Sequence, residues 1–368
     1  MPDFARKVVR WQRRHGRHDL PWQRGRDPYP IWLSEVMLQQ TRVETVLPYY
    51  ERFLERFPDV GALARAPLGE VLRLWSGLGY YARARNLHAA AREVMRSHDA
   101  RFPTSVAALE ELPGLGRSTA AAIAAFAFGR RAAILDGNVK RVLARCFGVE
   151  GFPGKPEVAR KLWSLADSLL PVRSIRGYTQ GLMDLGAMVC LRTKPGCSAC
   201  PLASQCVALR EGRVGRIPGP RPRKDVPRRR VRWLLLVQKD RVLLERRPAE
   251  GLWGGLWVFP ELRGRDPRSA ARLLGCEVEN VRALPVLEHG FTHFRLSVQP
   301  VLCTVRRFPA AAGQSARRWL AIPQAERGAV PVPVRTLLRD LLSNPFPATS
   351  RAAAAGAPSR HRSRAAAA

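Results

Sequence analysis

The chain lacks any long hydrophobic run. Its longest uninterrupted apolar stretch is nine residues, 120–128, whereas a helix that spans a membrane needs about 20. The N-terminal residues Met-Pro-Asp-Phe-Ala-Arg-Lys also lack the apolar segment of a secretory signal. We therefore expect no membrane span and no export, and we place the protein in the cytoplasm.

Acidic residues are scarce. The chain has 30 Asp and Glu against 62 Lys and Arg, which gives a formal net charge of +32, and only seven of the basic residues are lysine. An arginine-rich composition can follow from genome base content, but such an excess of positive charge also calls for a polyanionic partner. Nucleic acid is the partner that we expect.

The chain is long and apolar enough for two folded domains. It has 368 residues, 46% of them hydrophobic, with nine tryptophans, so wholesale disorder is excluded. Residues 1–209 show helical spacing broken by Pro and Gly, which predicts an all-α domain. Residues 210–231, rich in Pro, Gly and Arg, indicate a basic linker, and short apolar runs in 232–345 predict a smaller α+β domain. Residues 346–368 lack periodicity, so we expect a disordered tail.

The spacing also predicts individual elements. After a first helix that begins near residue 4 and ends near 16, helices are expected at 31–41, 49–57, 68–75, 82–97, 106–111, 117–128, 136–146, 158–169 and 179–189. In the second domain, strands are expected at 233–237, 242–245, 256–259, 281–287, 294–305 and 318–322, with helices near 270–274 and 337–342.

Cysteines are few and unevenly placed. Of the seven, four fall in the pattern C-x6-C-x2-C-x5-C. The odd total, the tight group and the absence of a secretory signal argue against disulfides and for a metal site. Zinc and a [4Fe–4S] cluster are both chemically possible, but a single CxxC pair at the end of a helical domain favours iron–sulfur. The four candidate ligands are Cys190, Cys197, Cys200 and Cys206.

A Pro/Gly hairpin separates two of the predicted helices. Residues 112–116 read Leu-Pro-Gly-Leu-Gly, and Gly114 and Gly116 allow a tight turn whose amide N–H groups face outward. The helix that follows adds its own unpaired N–H groups, so the segment suits a phosphate and reads no base sequence. The alternative is an ordinary turn. The candidate DNA-contacting residues here are Leu112, Gly114, Gly116 and Ser118.

Two carboxylates are candidates for catalysis. Glu35 has mostly apolar neighbours, and burial would help it keep a proton near neutral pH, as a general acid needs. Asp136 directly follows an apolar strip, where the alternative role is a helix N-cap. One protonated and one ionised carboxyl group suit cleavage of a glycosidic bond through a cationic sugar.

Residues 1–206 resemble the helix-hairpin-helix DNA glycosylase superfamily with its iron–sulfur loop, and within it the A/G-specific adenine DNA glycosylases, the MutY family. The matching stretches are Leu-Pro-Trp at 20–22, the Glu35 segment, Gly-Leu-Gly-Tyr-Tyr-Ala-Arg-Ala-Arg-Asn-Leu at 77–87, the hairpin, the Asp136 segment and the four cysteines.

The resemblance implies an enzyme of base excision repair. Its activity would be hydrolysis of the N-glycosidic bond of adenine paired with 8-oxoguanine or guanine, after the adenine has left the duplex. Glu35 would protonate adenine at N7 and handle the water, and Asp136 would stabilise the sugar cation. Of the other matching positions, Trp22 and Gln180 would line the adenine pocket, and Gln40 and Tyr80 would wedge into the base stack.

Ser118 separates two activities within this superfamily. Relatives that resemble endonuclease III carry a lysine here, which attacks the sugar and cleaves the strand through a Schiff base. A serine cannot form an imine, so the resemblance implies a monofunctional glycosylase, and nearby Lys140 receives no catalytic role. The alternatives are a bifunctional pyrimidine DNA glycosylase/AP lyase and a non-enzymatic iron–sulfur module that binds damaged DNA.

The second domain resembles the Nudix fold through residues 251–257 and the Phe-Thr-His sequence that follows. Ser-Ala at 269–270 and Leu-Leu at 273–274 stand where Nudix hydrolases carry metal-binding acidic residues, so we expect no pyrophosphatase. The resemblance implies instead that this domain recognises 8-oxoguanine. The residues concerned are Phe291, Thr292 and His293.

Taken together, the sequence predicts a monomer with a [4Fe–4S] cluster that acts on double-stranded DNA at the nucleoid. Its substrates would be A:8-oxoguanine and A:G pairs. Arg192 and Lys194, between the first two cluster ligands, are candidates to contact phosphate.

Overall fold

The structure, a computed structural model, describes residues 3–222, 225–291, 293–307 and 316–343. Within these ranges no helix has the length and apolar character needed to cross a membrane. The predicted tail at 346–368 and Thr292 lie outside the described residues.

The N-terminal domain is all-α, as predicted. Its helices are α1 Asp3–His15, α2 Pro28–Leu38, α3 Val43–Arg56, α4 Val60–Arg65, α5 Leu68–Trp75, α6 Ala82–Ser97, α7 Val106–Glu110, α8 Arg117–Phe128, α9 Gly137–Cys146, α10 Pro156–Ser168, α11 Ile175–Asp184 and α12 Val207–Arg210. Short 3-10 turns lie at Pro21–Gln23, Cys197–Ala199 and Ala203–Gln205, and Leu185–Val189 continues α11 as a π-helical turn.

Local chemistry explains several of the helix boundaries. Asp27 caps α2 by accepting from the Tyr29 N–H, and Pro28 occupies the first turn, so α2 begins three residues before the predicted start. The helix α4 was not predicted, and Asp59 caps it. Each of these caps depends on a single polar side chain, and the spacing of apolar residues carries no information about it.

Helix α8 lies between the two apolar cores of this domain. Ala120 and Ala124 on one face belong to the core that contains Trp32, whereas Ala121 and Ala125 on the other belong to the core that contains Val139. Because alanine is small, neighbouring elements can pack closely on both sides of α8. The helix thereby packs against α2 and α11, and it shares a core with Val139 at the start of α9.

The C-terminal domain is α+β, as predicted. Its elements are β1 Arg228–Gln238, β2 Arg241–Arg246, β3 Trp257–Val258, α13 Pro267–Leu273, β4 Glu277–Ala283, β5 Leu287–Gly290, β6 Arg295–Arg307, β7 Arg317–Ala321, α14 Ile322–Glu326 and α15 Val332–Ser343. The described strands form one sheet of order β3-β2-β1-β6-β4, in which β5 also pairs with β6 and β7 with β2. Only the β1–β6 pair is parallel among these pairs.

Side chains alternate across this sheet. On β1, Trp233, Leu235 and Val237 face the core that includes α15, and Leu234 and Leu236 face the smaller core beside α13. Both faces are therefore covered, which explains the continuous apolar run that marked this strand in the sequence.

The basic segment between the domains is partly packed. Ile217 is buried, and the Gly219 N–H donates to the Gly151 carbonyl at 2.9 Å, so its first half lies against the helical domain. Strand β1 begins at Arg228, before the end of the predicted linker at residue 231. The extended part is thus shorter than the composition indicated.

The two domains are in direct contact. Ser76, at the end of α5, donates to the Val330 carbonyl at 2.6 Å and accepts from Arg335 at 2.8 Å. Arg85 of α6 donates to the Gly254 carbonyl at 3.1 Å, and Leu256 belongs to the first core of the helical domain. The loop at 77–80 therefore lies beside the domain interface.

Candidate active site and DNA-binding surface

Glu35 lies on α2, partly buried among apolar neighbours. Burial raises the pKa of its carboxyl group to about 8, and the negative charge of Asp136 adds to this shift. A carboxyl group with this pKa carries its proton at pH 7. It can therefore act as a general acid at neutral pH.

Asp136 is the N-cap of α9. Its Oδ1 accepts a hydrogen bond from the Val139 N–H at 2.7 Å, so the capping role is real. Burial raises the pKa of Asp136 above its ordinary value, and hydrogen bonds from the N–H groups of Val139 and Asn138 oppose this. The cap and an electrostatic contact with Glu35 exist together.

A cavity of about 260 Å³ opens beside Glu35. Trp22, on the 3-10 turn, and Gln180, on α11, are two of its walls, and Trp22 is held edge-on to Tyr50 with ring centroids 5.2 Å apart. Asp136 is not among the lining residues. The other lining residues are Gln12, Arg17, His18, Gln23, Ile31, Ser34, Phe126, Arg176 and Gly177.

Sequence reasoning missed the carboxylate behind this cavity. Asp184, at the end of α11, is fully buried and accepts from the Arg17 backbone N–H at 3.0 Å and from the Arg17 side chain at 2.7 Å. It also accepts from Gln180 Nε2 at 2.9 Å. A lone charge in the apolar run Leu-Met-Asp-Leu was the available signal, since buried carboxylates are rare unless paired.

The hairpin between α7 and α8 has its apolar side chains inward and its glycines outward. Leu112 and Leu115 are buried in the first core, whereas Gly114 and Gly116 are exposed. Gly114 has φ +82°, and a Cβ there would lie 2.7 Å from Asn86 Cβ. This position therefore requires glycine both for its backbone conformation and for lack of space. Gly116 is the N-cap of α8, which leaves the free N–H groups of that helix at the surface.

Ser118 ties α8 to the segment that leads into Asp136. Its Oγ accepts a hydrogen bond from the Leu135 N–H at 2.9 Å. No amine stands at this position, and Lys140 lies on α9, one turn beyond Asp136.

Gln40 and Tyr80 occupy two surface loops with similar backbone strain. Both have positive φ, 58° and 49°, and both are exposed. Two residues that lie on different loops and share an uncommon conformation need support from the surrounding structure.

Arg83 supplies that support and was not predicted. It is buried, and its guanidinium group lies 5.5 Å from the centre of the Tyr80 ring. Nη1 donates to three carbonyl groups at the end of α2, and Nη2 donates both to the loop of Gln40 and to the loop of Tyr80. The acceptors are Val36, Met37 and Gln39 at 2.7–2.9 Å, Thr41 Oγ1 at 3.1 Å and Gly79 at 3.3 Å.

The four clustered cysteines line one cavity. Apolar side chains that include Leu202 and Val214 form most of its other walls, together with Arg145 and a fifth cysteine, Cys146. No three His, Cys, Asp or Glu side chains in the described ranges are arranged to hold a single metal ion. The thiols therefore surround a volume and do not meet at a point. If a cluster binds here, its ligands would be Cys190, Cys197, Cys200 and Cys206.

Arg145 stabilises the cysteine-bearing loop, residues 190–206, from its buried side. It is buried and donates to Cys190 Sγ at 3.3 Å and to the Leu191 carbonyl at 2.6 Å. Arg192 and Lys194 are exposed on the outer side of the same loop. The segment thus presents positive charge outward and thiols inward.

Phe291 belongs to an aromatic group in the C-terminal domain. It stacks on Phe294 with centroids 4.4 Å apart and meets His289 edge-on at 4.7 Å and Trp253 at 5.6 Å. His293 is exposed, and Thr292 lies outside the described residues. Phe291 is therefore anchored, at the start of the segment predicted to recognise 8-oxoguanine.

The Nudix metal site is not assembled in the described part of the chain. Glu261, the acidic residue with Nudix-like spacing, pairs with Arg247 at 2.9 Å. Ser269 and Ala270 lie on α13, where Ser269 donates its N–H to the capping Asp266.

Two family models match the chain. Residues 33–168 match the HhH-GPD superfamily of base excision DNA repair proteins, and residues 232–340 match a NUDIX domain.

Curated relatives match nearly the whole chain. The adenine DNA glycosylase of Buchnera aphidicola subsp. Baizongia pistaciae is 34% identical over 91% of this chain and 95% of its own. The human adenine DNA glycosylase is 31% identical over 91% of this chain and 73% of its own. Among solved structures, a thermostable thymine-DNA glycosylase is 30% identical with a TM-score of 0.51, covering 56% of this chain and 95% of its own.

Proposed function

The chain belongs to the adenine DNA glycosylases, and from this premise we propose that it excises adenine paired with 8-oxoguanine or guanine and leaves an abasic site. The observation that carries the proposal is Glu35, a carboxyl group that keeps its proton to about pH 8, on a cavity of nucleobase scale and within electrostatic reach of Asp136. We assign the glycosylase activity to the helical domain, predicted at residues 1–209, and mispair recognition to the domain predicted at residues 232–345, whose first strand begins at Arg228.

The adenine enters the cavity after it rotates out of the duplex. A base inside the helix cannot reach a carboxyl group in a partly enclosed cavity, so the enzyme must extrude it. Trp22 and Gln180 are walls of this cavity. They would hold the purine ring beside Glu35.

The bond is broken by acid catalysis. Glu35 donates its proton to N7 of adenine, and the electron pair of the C1′–N9 bond leaves with the purine. The sugar becomes a cation, which the Asp136 carboxylate stabilises. A water molecule then adds to C1′ and gives its proton to the Glu35 carboxylate, which restores the starting state.

The reaction ends at the abasic site. A lyase needs an amine that attacks C1′ and forms an imine, and Ser118 has only a hydroxyl group, which accepts from the Leu135 N–H. We therefore propose a monofunctional enzyme that does not cut the strand.

Several surfaces of the chain would hold the duplex. The exposed glycines of the hairpin and the N-terminus of α8 offer N–H groups to phosphate. Gln40 and Tyr80, on their two supported loops, would insert near the partner base. Arg192 and Lys194 add positive charge beside the backbone.

A [4Fe–4S] cluster fits the cysteine-lined cavity. Its donors are the four thiols, and its walls also include apolar side chains, Arg145 and a fifth cysteine, Cys146. Bound there, the cluster would hold the loop at 190–206 rigid, so that its basic residues face DNA. We give it a structural role and route no step of the reaction through it.

The partner base would be read by the C-terminal domain. Phe291 is anchored in its aromatic group, and residues 292 and 293 follow it directly. The contact between Ser76 and Val330 joins this domain to the loop that carries Tyr80.

The experiment compares duplexes in which a labelled strand carries adenine opposite 8-oxoguanine, guanine or thymine. We expect breaks at the adenine after alkali for the first two duplexes, none for the third, and none without alkali. Borohydride should trap no covalent complex. Intact DNA after alkali rejects the proposal, and breaks without alkali support a lyase instead.

A further inference from the structure

The strongest unassigned feature is the Asp184 carboxylate behind the cavity. It is fully buried and has three donors from two segments, the backbone and side chain of Arg17 and the amide nitrogen of Gln180. Its neighbour Gly16 leaves no room for a side chain, since a Cβ there would lie 3.0 Å from Asp184 Oδ2. Both donor residues line the cavity in which we propose that the purine binds.

The paired arginine fixes the chemistry of this carboxylate. Arg17 donates from its backbone N–H to one oxygen of Asp184 and from its side chain to the other, so both oxygens act as acceptors. An oxygen that already accepts from Arg17 offers no hydrogen to Gln180. Gln180 must therefore turn its NH₂ group toward Asp184, because the reversed amide would place an oxygen against a negative oxygen.

The orientation of the amide decides what Gln180 offers to a ligand. With Nε2 bound to Asp184 at 2.9 Å, Oε1 is the heavy atom of the amide that Asp184 does not engage, and Gln180 is a wall of the cavity. A carbonyl oxygen can only accept a hydrogen bond.

We propose that Asp184 is a positioning residue that locks Gln180 as an acceptor for the 6-amino group of adenine, and that the site thereby rejects 6-oxo purines. This inference rests on the proposed function. Adenine presents a donor at C6, whereas guanine and hypoxanthine present an oxygen, which would face Oε1 with no hydrogen between them. A site built to pair with one group discriminates strongly against a ligand that leaves it unpaired.

The test compares two substrates in wild type and in Asp184→Asn. Asparagine has the same size but can both accept and donate, so Gln180 can reverse. Single-turnover excision is measured for adenine and for hypoxanthine, each opposite 8-oxoguanine. We expect the adenine-to-hypoxanthine rate ratio to fall about 10-fold or more in the variant. The different intrinsic reactivities of the two bases cancel between the two proteins.

A purely structural role for Asp184 predicts another result. It would lower both rates together and leave their ratio unchanged, which would overturn the inference. In a Gln180→Ala background, Asp184→Asn should not change the ratio further, because the group that it positions is gone. An additional shift of the ratio in that background also contradicts the inference.

A second comparison does not need the Asp184 variant to fold. Gln180→Ala alone should lower the adenine-to-hypoxanthine ratio below that of wild type, and an unchanged ratio would overturn the inference. The two proposals fail in different ways. If wild type excises no purine, the proposed function is wrong, whereas adenine excision with the same ratio in all variants removes only the role of Asp184.

Discussion

The Asp136 carboxylate lies near enough to Glu35 for its charge to help raise the pKa of Glu35 to about 8. The same Asp136 accepts the Val139 N–H and so begins α9. The anion that would stabilise a sugar cation is thus held in place by a helix terminus, and its charge helps the neighbouring acid to keep its proton. The predictions below separate these roles.

Asp136→Asn should slow excision strongly and keep the helix cap. The asparagine oxygen can still accept from Val139, so stability should change little, but excision should fall about 100-fold or more because the negative charge is lost. Asp136→Ala loses both the negative charge and the helix cap. Its free energy of unfolding should be about 1 kcal/mol lower than that of Asp136→Asn. Single-turnover kinetics and denaturant unfolding measure the two effects. Near-normal excision by Asp136→Asn would remove Asp136 from the mechanism.

Glu35→Gln should stabilise the folded protein at alkaline pH. The pKa of Glu35 is about 8 when folded against an ordinary value of 4.5, so the folded state binds the proton more tightly and wild type loses stability as pH rises between these values. The variant has no such loss. Its advantage should grow from near zero at about pH 4 to a few kcal/mol at about pH 8.

Denaturant unfolding across this pH range measures that advantage. Glu55→Gln, an exposed position on α3, is the matched control and should follow wild type. An advantage of Glu35→Gln that is independent of pH would mean that Glu35 is not held protonated.

Arg83→Gln should weaken DNA binding more than it slows the bound enzyme. The two loops that carry Gln40 and Tyr80 lose their shared support, so we expect Kd for a mispair duplex to rise about 10-fold. Arg83→Lys should not rescue binding, because a lysine cannot donate to both loops at once. Arg92→Gln, which removes an exposed arginine from the same helix, is the control. Equal losses of DNA affinity for Arg83→Gln and Arg92→Gln would mean that the effect comes only from the loss of a positive charge, which would contradict the supporting role of Arg83.

The purified protein should contain about four irons per chain and absorb broadly in the visible range. Cys197→Ser should lower both, since it removes one of the four thiols that line the cavity. Cys276→Ser, at a buried cysteine of the C-terminal domain, should leave the iron content unchanged. One zinc per chain would contradict the assignment of the cavity to an iron–sulfur cluster.

The sequence predicted the fold class and most element positions because apolar spacing and Pro/Gly breaks are local. The predicted positions were less accurate where a few residues interrupt an apolar segment. The predicted strand at 281–287 is two strands, β4 and β5, separated by residues 284–286, which include Pro285. Pro285 has no N–H to donate at this point, and β4 and β5 pair with β6 on either side of it.

The predicted site residues Glu35, Trp22 and Gln180 share one cavity, and the resemblance to a known family had grouped them. Arg83 and Asp184 were not found. Arg83 contacts Val36, and Asp184 contacts Arg17, across separations of 47 and 167 residues. No local pattern records a contact between segments so far apart. Each is a charged residue in a helix whose partners appear only in the folded chain.

The most direct test of the account is the pH dependence of single-turnover adenine excision by wild type and Glu35→Gln. The account predicts that the wild-type rate falls as pH rises through about 8, because the proton donor is lost. Glu35→Gln should have little activity at any pH and no such fall. A wild-type rate that stays level to pH 9.5, or a variant that keeps wild-type activity, would contradict the account.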